Sequence, residues 1–337
     1  VILASAVGGC GVRDSGIAEQ PTPSALTAVA DVTHAPTLFP VPVGDRWGYI
    51  DSGGSIAIQP QYRRADAFSE GLAAVRVGED DRYGYIDETG TLVIQPQFWI
   101  ADWFCEGLAL VQVEENGMYG FIDRTGAFVI EPRFMHADAF SEGLAGVGGS
   151  DGLWGFIDRT GAYVITPRFG GVFQFEAGLA PVAAPGGVGF PDYGFIDKTG
   201  SWVIEPRFDA AWHFTDGLAG VRVGDEWGYI DRSGATVIDP AYSGVKPFAE
   251  GLAPVLTEVD LAAKEWGKWG YIDATGTFVV EPRFAYAGEF RGGLALVQIE
   301  DGKYGYINTN GAVVWTAPVG RPTASEATGG SDAKVDR

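Results

Sequence analysis

The chain has 337 residues, 46% hydrophobic and 13% aromatic, enough to bury a sizeable core. Its formal net charge of −21 repels phosphate backbones and anionic headgroups, which argues against nucleic acid as a partner. Fifty glycines without collagen's period of three imply many tight turns between short strands, and two cysteines without metal-ligand spacing indicate neither a disulfide framework nor a zinc site.

In chain order, residues 1–10 (VILASAVGGC) read as the remnant of a signal peptide, an apolar stretch running into Val7-Gly8-Gly9-Cys10. Small residues before a cysteine resemble the bacterial lipobox, so Cys10 is the expected lipidation site. The segment is far shorter than the ~20 apolar residues a membrane helix needs. Residues 11–37 are rich in small residues, Pro and Thr, hold no period of 2 or 3.6, and read as a flexible tether. Residues 320–337 have a similar bias and are expected to be disordered.

Between them, residues 38–319 repeat. An aromatic-Gly-aromatic-Ile-Asp core occurs at Trp47–Asp51 and returns seven times, with central glycines at Gly48, Gly84, Gly120, Gly155, Gly194, Gly228, Gly270 and Gly305. Their separations are 36, 36, 35, 39, 34, 42 and 35 residues. Upstream of each core lies Gly-Leu-Ala-x-Val or a close variant, as in Gly71–Val75, and downstream x-Thr/Ser-Gly, then an apolar run ending Pro-x-aromatic, as in Val129–Phe134. A loop reading Ala-x-x-Phe joins one unit to the next.

Each unit is expected to form a three-stranded antiparallel meander. Leu-Ala-x-Val-x-Val supplies strand a and aromatic-Gly-aromatic-Ile strand b. Asp-x-Thr-Gly turns the chain, the Asp accepting from backbone two residues on and the Gly taking positive φ. The x-Val-Ile run is strand c, whose Pro belongs at an edge or strand end. The glycine of strand b marks a bulge or a close approach of backbone. No segment holds a helical period for three turns.

These eight units resemble the WG-repeat (tryptophan-glycine β-repeat) family of bacterial proteins. The resemblance implies a repeated β architecture and no catalytic residue. Units that leave apolar faces bare must stack on neighbours. A closed β-propeller does this, with strand a near the axis, strand c outermost and the Ala-x-x-Phe loop adding a short fourth strand. An open β-solenoid-like array is the alternative.

The sequence carries no catalytic signature, so the chain is read as not an enzyme and as needing no cofactor or metal. His34, His136 and His213 stand at unrelated places and read as solvated loop residues. There is no Gly-x-Ser-x-Gly elbow, phosphate loop or His-Glu-x-x-His. Asp51, Asp87, Asp123, Asp158, Asp197, Asp231 and Asp273 read as turn caps, because one carboxylate per turn falls short of calcium's six to eight oxygens. Glu70, Glu106, Glu142, Asp216 and Glu250, and the arginines Arg133, Arg168, Arg207 and Arg283, suggest ion pairs between units.

Trp47, Trp154, Trp227 and Trp269 hold the repeat-defining position and read as packing between units. Trp99, Trp103, Trp202, Trp212 and Trp266 break the pattern and are the candidate binding residues; Trp315 also departs from it. Ala184–Pro191 and Glu258–Lys268 depart most from the repeat length, and irregular loops on a regular frame are where specificity sits. The expected function is an extracytoplasmic, lipid-anchored binding or scaffold protein engaging a protein or glycan of the cell envelope. A structural spacer, or an enzyme with a site at a channel mouth, are the alternatives.

Overall fold

A computed structural model describes residues 37–78, 81–185, 192–257, 267–299 and 303–317. The local chemistry of each unit starts at its Asp-x-Thr-Gly turn. In the second unit the Asp87 Oδ1 accepts from the N–H groups of Thr89 at 2.9 Å and Thr91 at 3.0 Å and from the Thr89 hydroxyl at 2.6 Å, while Gly90 takes φ +85°. These hydrogen bonds favour the ionised carboxylate, so Asp87, Asp123, Asp158, Asp197, Asp231 and Asp273 all sit below the usual carboxylate range. Asn308 makes the same turn with its amide oxygen.

The turn joins strand b (Arg82–Asp87) to strand c (Leu92–Phe98), and strand a (Leu72–Val77) completes the meander. A fourth strand, Arg64–Ala65, pairs with the free side of strand a. Among the described residues there are eight sheets and no helix; the first sheet has three strands and the other seven have four. Strand a is therefore interior to seven sheets. The short strand beside it includes Ala65 of the Ala-x-x-Phe loop, as the propeller reading expected.

Strand c is the opposite edge. In the pattern shown by Phe128–Phe134 only the third and last residues are buried. Its proline interrupts a row of donors that could otherwise pair with another chain. The glycine of strand b explains how that proline fits. A Cβ on Gly155 would lie 2.4 Å from the Ile165 carbonyl oxygen and 2.7 Å from the Pro167 nitrogen. Register shifts flank this glycine, with Trp154 opposite Phe169 and Phe156 opposite Ile165, so strand c carries extra residues across from it. The other seven glycines meet strand c backbone in the same way, at 2.5–2.7 Å.

Packing is between sheets. The aromatic after the central glycine of blades 1 to 7 packs tilted or edge-on against the phenylalanine of the next unit's Ala-x-x-Phe loop: Tyr49–Phe68, Tyr85–Phe104, Phe121–Phe140, Phe156–Phe175, Phe195–Phe214, Tyr229–Phe248 and Tyr271–Phe290, all with centroids 4.8–4.9 Å apart. The buried side chains divide into eight cores, each shared by two neighbouring sheets. Eight sheets in an open row would share only seven. The eighth core joins Phe39, Val41 and Ile50 of the first sheet to Leu294 and Tyr306 of the last. There the Tyr306 hydroxyl donates to the Pro40 carbonyl at 3.1 Å, and Phe39 meets the Tyr306 ring at 5.3 Å. The fold is an eight-bladed β-propeller, and the open array is excluded.

Charged side chains tie blade to blade, though not as ion pairs between the two recurring series. Arg133, Arg168, Arg207 and Arg283 each donate to a glycine carbonyl in the next blade's turn, at 2.6–2.7 Å. The same guanidinium groups lie 4.9–5.1 Å over the ring of the following phenylalanine. Glu70, Glu106, Glu142, Asp216 and Glu250 accept from the N–H of Gly107, Gly143, Gly178, Gly251 and Gly293 in the next blade. A backbone partner is fixed in place, so each charge loses side-chain freedom only once, which a surface ion pair between two long side chains does not achieve.

Candidate functional site

The repeat keeps its scaffold residues nearly constant, with Val172 and Val245 in place of Ala in blades 5 and 7, and varies two positions in particular, the x-x of Ala-x-x-Phe. These pairs are Asp66-Ala67, Asp102-Trp103, Asp138-Ala139, Phe173-Gln174, Trp212-His213, Lys246-Pro247 and Gly288-Glu289 in blades 2 to 8. The fold brings them to one register. The N–H of the first residue donates to strand a of its own blade, as Asp66 to the Ala74 carbonyl and Lys246 to the Pro254 carbonyl, both at 3.0 Å. Its carbonyl accepts from the preceding blade's tyrosine: Tyr49 to Asp66, Tyr85 to Asp102, Tyr229 to Lys246 and Tyr271 to Gly288, at 2.6–2.9 Å. The first position is half-buried in all seven blades, so its side chain is packed from below and reachable from solvent.

Its chemistry changes around the ring. Blades 2 to 4 present Asp66, Asp102 and Asp138. Burial pushes Asp102 and Asp138 up to about 7, and Asp102 is raised further by its two acidic neighbours. Burial also raises Asp66, opposed by Arg64 and Arg76 beside it. Blades 5 and 6 present rings: Trp212 stacks on Trp227 at 6.1 Å with planes 24° apart, lies 5.9 Å from Phe173, and donates its indole N–H to the Val245 carbonyl at 3.0 Å. Blades 7 and 8 bring Lys246 and Glu289 together. Burial draws Lys246 down to about 8 and lifts Glu289 to about 7, each shift opposed by the other's charge. The Lys246 ammonium also lies 4.1 Å over the Tyr286 ring and 5.3 Å from that of Trp269.

The tryptophans singled out by sequence fall in different places. Trp103 and Trp212 belong to this arc. Trp99 lies at the start of blade 3, with the Arg82 guanidinium 5.5 Å over its ring. Trp202 stands edge-on to Phe169 at 5.8 Å and packs into the core between blades 4 and 5. Trp266 lies outside the described residues, as do Cys10, His34 and most of the two irregular loops, at 186–191 and 258–266.

His213 is not a solvated loop residue. It is 4% exposed, its Nδ1 has no hydrogen-bond partner among the described residues, and burial lowers it to about 4, so it is neutral near pH 7. His136 is exposed and stacks on Trp154 at 5.7 Å. Cys105 is buried in blade 3. Among the described residues no three His, Cys, Asp or Glu groups converge as metal ligands.

Sequence reasoning passed over Asp66, Asp138, Phe173, Lys246 and Glu289. The signal was present: aligning the units on the phenylalanine of Ala-x-x-Phe puts all of them in two adjacent columns.

Comparisons with known proteins agree with the repeat and the fold. A search of curated proteins finds no matching relative. Among solved structures, one described as a eukaryotic initiation factor superposes with TM-score 0.53 at 12% identity, over 84% of this chain and 97% of that one. The computationally designed Ika8 protein superposes with TM-score 0.50 at 12% identity, over 82% and 97%. At such identities the likeness concerns the fold alone. The model of the WG containing repeat matches residues 47–79, 83–116, 119–148, 154–183, 193–227, 227–258 and 269–304, each match running from strand b of one blade toward strand b of the next. The chain belongs to the WG containing repeat family.

Proposed function

We propose that the protein is an extracytoplasmic interaction scaffold, anchored through a lipid on Cys10, that engages a protein or glycan partner of the cell envelope. One observation carries the reading: a ring that repeats its packing residues blade after blade changes the chemistry of the half-buried first residue of Ala-x-x-Phe around its circumference, from Asp in blades 2 to 4 to Phe, Trp, Lys and Gly in blades 5 to 8. A spacer gains nothing from such variation, whereas a binding surface is built from it. The Phe173, Trp212 and Trp227 rings offer flat apolar area, and the Asp66 and Lys246 ends offer polar groups of opposite sign.

The test is a capture from envelope extracts with wild type and a Trp212→Ala, Lys246→Ala double variant. A partner retained by wild type and lost by the folded variant supports the scaffold. Equal capture by both, or none by either, rejects it. The anchor has its own test, the intact mass of Cys10-containing protein from membranes. A thioether-linked diacylglycerol supports the anchor, and a Cys10 found in a disulfide or as a free thiol rejects it.

A further inference from the structure

A second site lies apart from the arc's aromatic sector, where the first two blades meet. In a chain of net charge −21, a pocket of about 390 Å³ is lined by Arg46, Arg63, Arg64 and Arg76, with Trp47, Asp45 and Asp81. Its charges are out of character with the rest of the ring. Arg64 and Arg76 are direct cross-strand partners. The same pair in the other blades is Ile100 with Gln112, His136 with Gly148, Gly171 with Ala183, Ala210 with Arg222, Gly244 with Leu256 and Tyr286 with Gln298. Only blade 2 sets two arginines opposite each other, an arrangement that destabilises a sheet unless an anion intervenes.

Among the described residues, carboxylates answer only part of that charge. Arg76 pairs with Asp81, Arg64 stands 3.7 Å from Asp66, and Arg46 stands 3.8 Å from Asp45, itself 92% exposed. Arg63, exposed at the rim, has no ion-pair partner among the described residues, and the Arg76 Nε is buried without an acceptor. Guanidinium forks converging on one pocket match the oxygens of phosphate or carboxylate better than any other ligand group. We propose that this pocket binds a compact oxyanion, a phosphate or carboxylate group, held by Arg63, Arg64 and Arg76 with Trp47 as its wall.

Thermal unfolding of the full chain is followed during titration with inorganic phosphate and, separately, with succinate, against sodium chloride at matched ionic strength. Saturable stabilisation by either anion, with affinity weakened about tenfold or more in Arg63→Gln and Arg64→Gln and kept in Arg232→Gln, a change at an exposed arginine in the turn of blade 6 that does not line the pocket, is the expected result. Arg63 is exposed, so its variant folds even if Arg64→Gln does not. Stabilisation by neither anion beyond chloride, or unchanged affinity in Arg63→Gln, overturns the proposal.

Discussion

Replacing Gly155 by alanine sets a methyl carbon 2.4 Å from the Ile165 carbonyl oxygen, 2.7 Å from the Pro167 nitrogen and 2.9 Å from the Thr166 carbonyl carbon. All three are backbone atoms, so no side chain can rotate away. Strand c must retreat by most of an ångström, yet its far side is held by the Arg168 bond to the Gly200 carbonyl at 2.6 Å and by the core shared with blade 5. Overpacking of this kind costs about 1–3 kcal/mol, and a backbone obstacle places the variant at the upper end. At about 2 °C per kcal/mol for a chain of this size, the melting temperature should fall by about 4–6 °C. The comparison is Gly53→Thr. There the nearest atom to an added Cβ is the Asp51 carboxylate oxygen at 3.2 Å, and threonine restores the hydroxyl that Thr89 donates to Asp87 at 2.6 Å. That variant should melt at or slightly above the wild type, by about 0.5–1 kcal/mol of added stability. Differential scanning calorimetry of the two variants decides the matter. A Gly155→Ala protein melting within 1 °C of wild type (about half a kcal/mol) would refute the close-approach explanation of the repeat's central glycine.

Other perturbations have equally definite outcomes. Tyr229→Phe removes the 2.9 Å bond to the Lys246 carbonyl and should cost about 1 kcal/mol in urea unfolding, a tolerable loss because Phe121, Phe156 and Phe195 already hold the same place. Asp102 and Asp138 are pushed from 3.8 up to about 7, so the folded chain keeps protons that the unfolded chain releases, and their contribution to stability declines as pH rises from about 4 to about 7. Asp102→Asn and Asp138→Asn should flatten that decline in melts taken across the window, leaving both variants more stable relative to wild type at pH 8 than at pH 5. His213 acts in the other direction: its fall from 6.5 to about 4 means the unfolded chain binds the proton first, so stability is lost as pH drops through that interval. His213→Phe should remove this loss, and a wild-type-like acid profile for that variant counts against a buried neutral imidazole.

Much of the fold could be read directly. The Asp-x-Thr-Gly turn and the Leu-Ala-x-Val and Val-Ile-x-Pro strands depend on neighbours close in sequence, and they fold as local chemistry requires. Closure was harder to read because it rests on contacts such as Tyr306 with Pro40, which join the two ends of the array. The sense of the recurring charges was also hidden. Glu106 and Arg133 look like an ion pair waiting to form, but whether a charge meets another charge or a backbone group depends on the offset between blades, and that offset leaves no mark in the repeat. His213 shows the same limit: a histidine in a loop reads as solvated until the neighbouring blade covers it. Of the candidate site, Trp103 and Trp212 stood out by size, while Asp66, Asp138, Lys246 and Glu289 passed as ordinary surface charges because their burial comes from the neighbouring blade.

Ring closure is tested most directly by a disulfide between the first and last blades. A Cβ built on Gly292 lies 3.3 Å from the Thr37 Cβ, close to the separation found in disulfides. Thr37→Cys with Gly292→Cys, in a chain whose Cys10 and Cys105 are changed to serine, should oxidise to a single intramolecular bond whose yield does not change on dilution. No bond, or bonds only between molecules, would contradict the closed propeller.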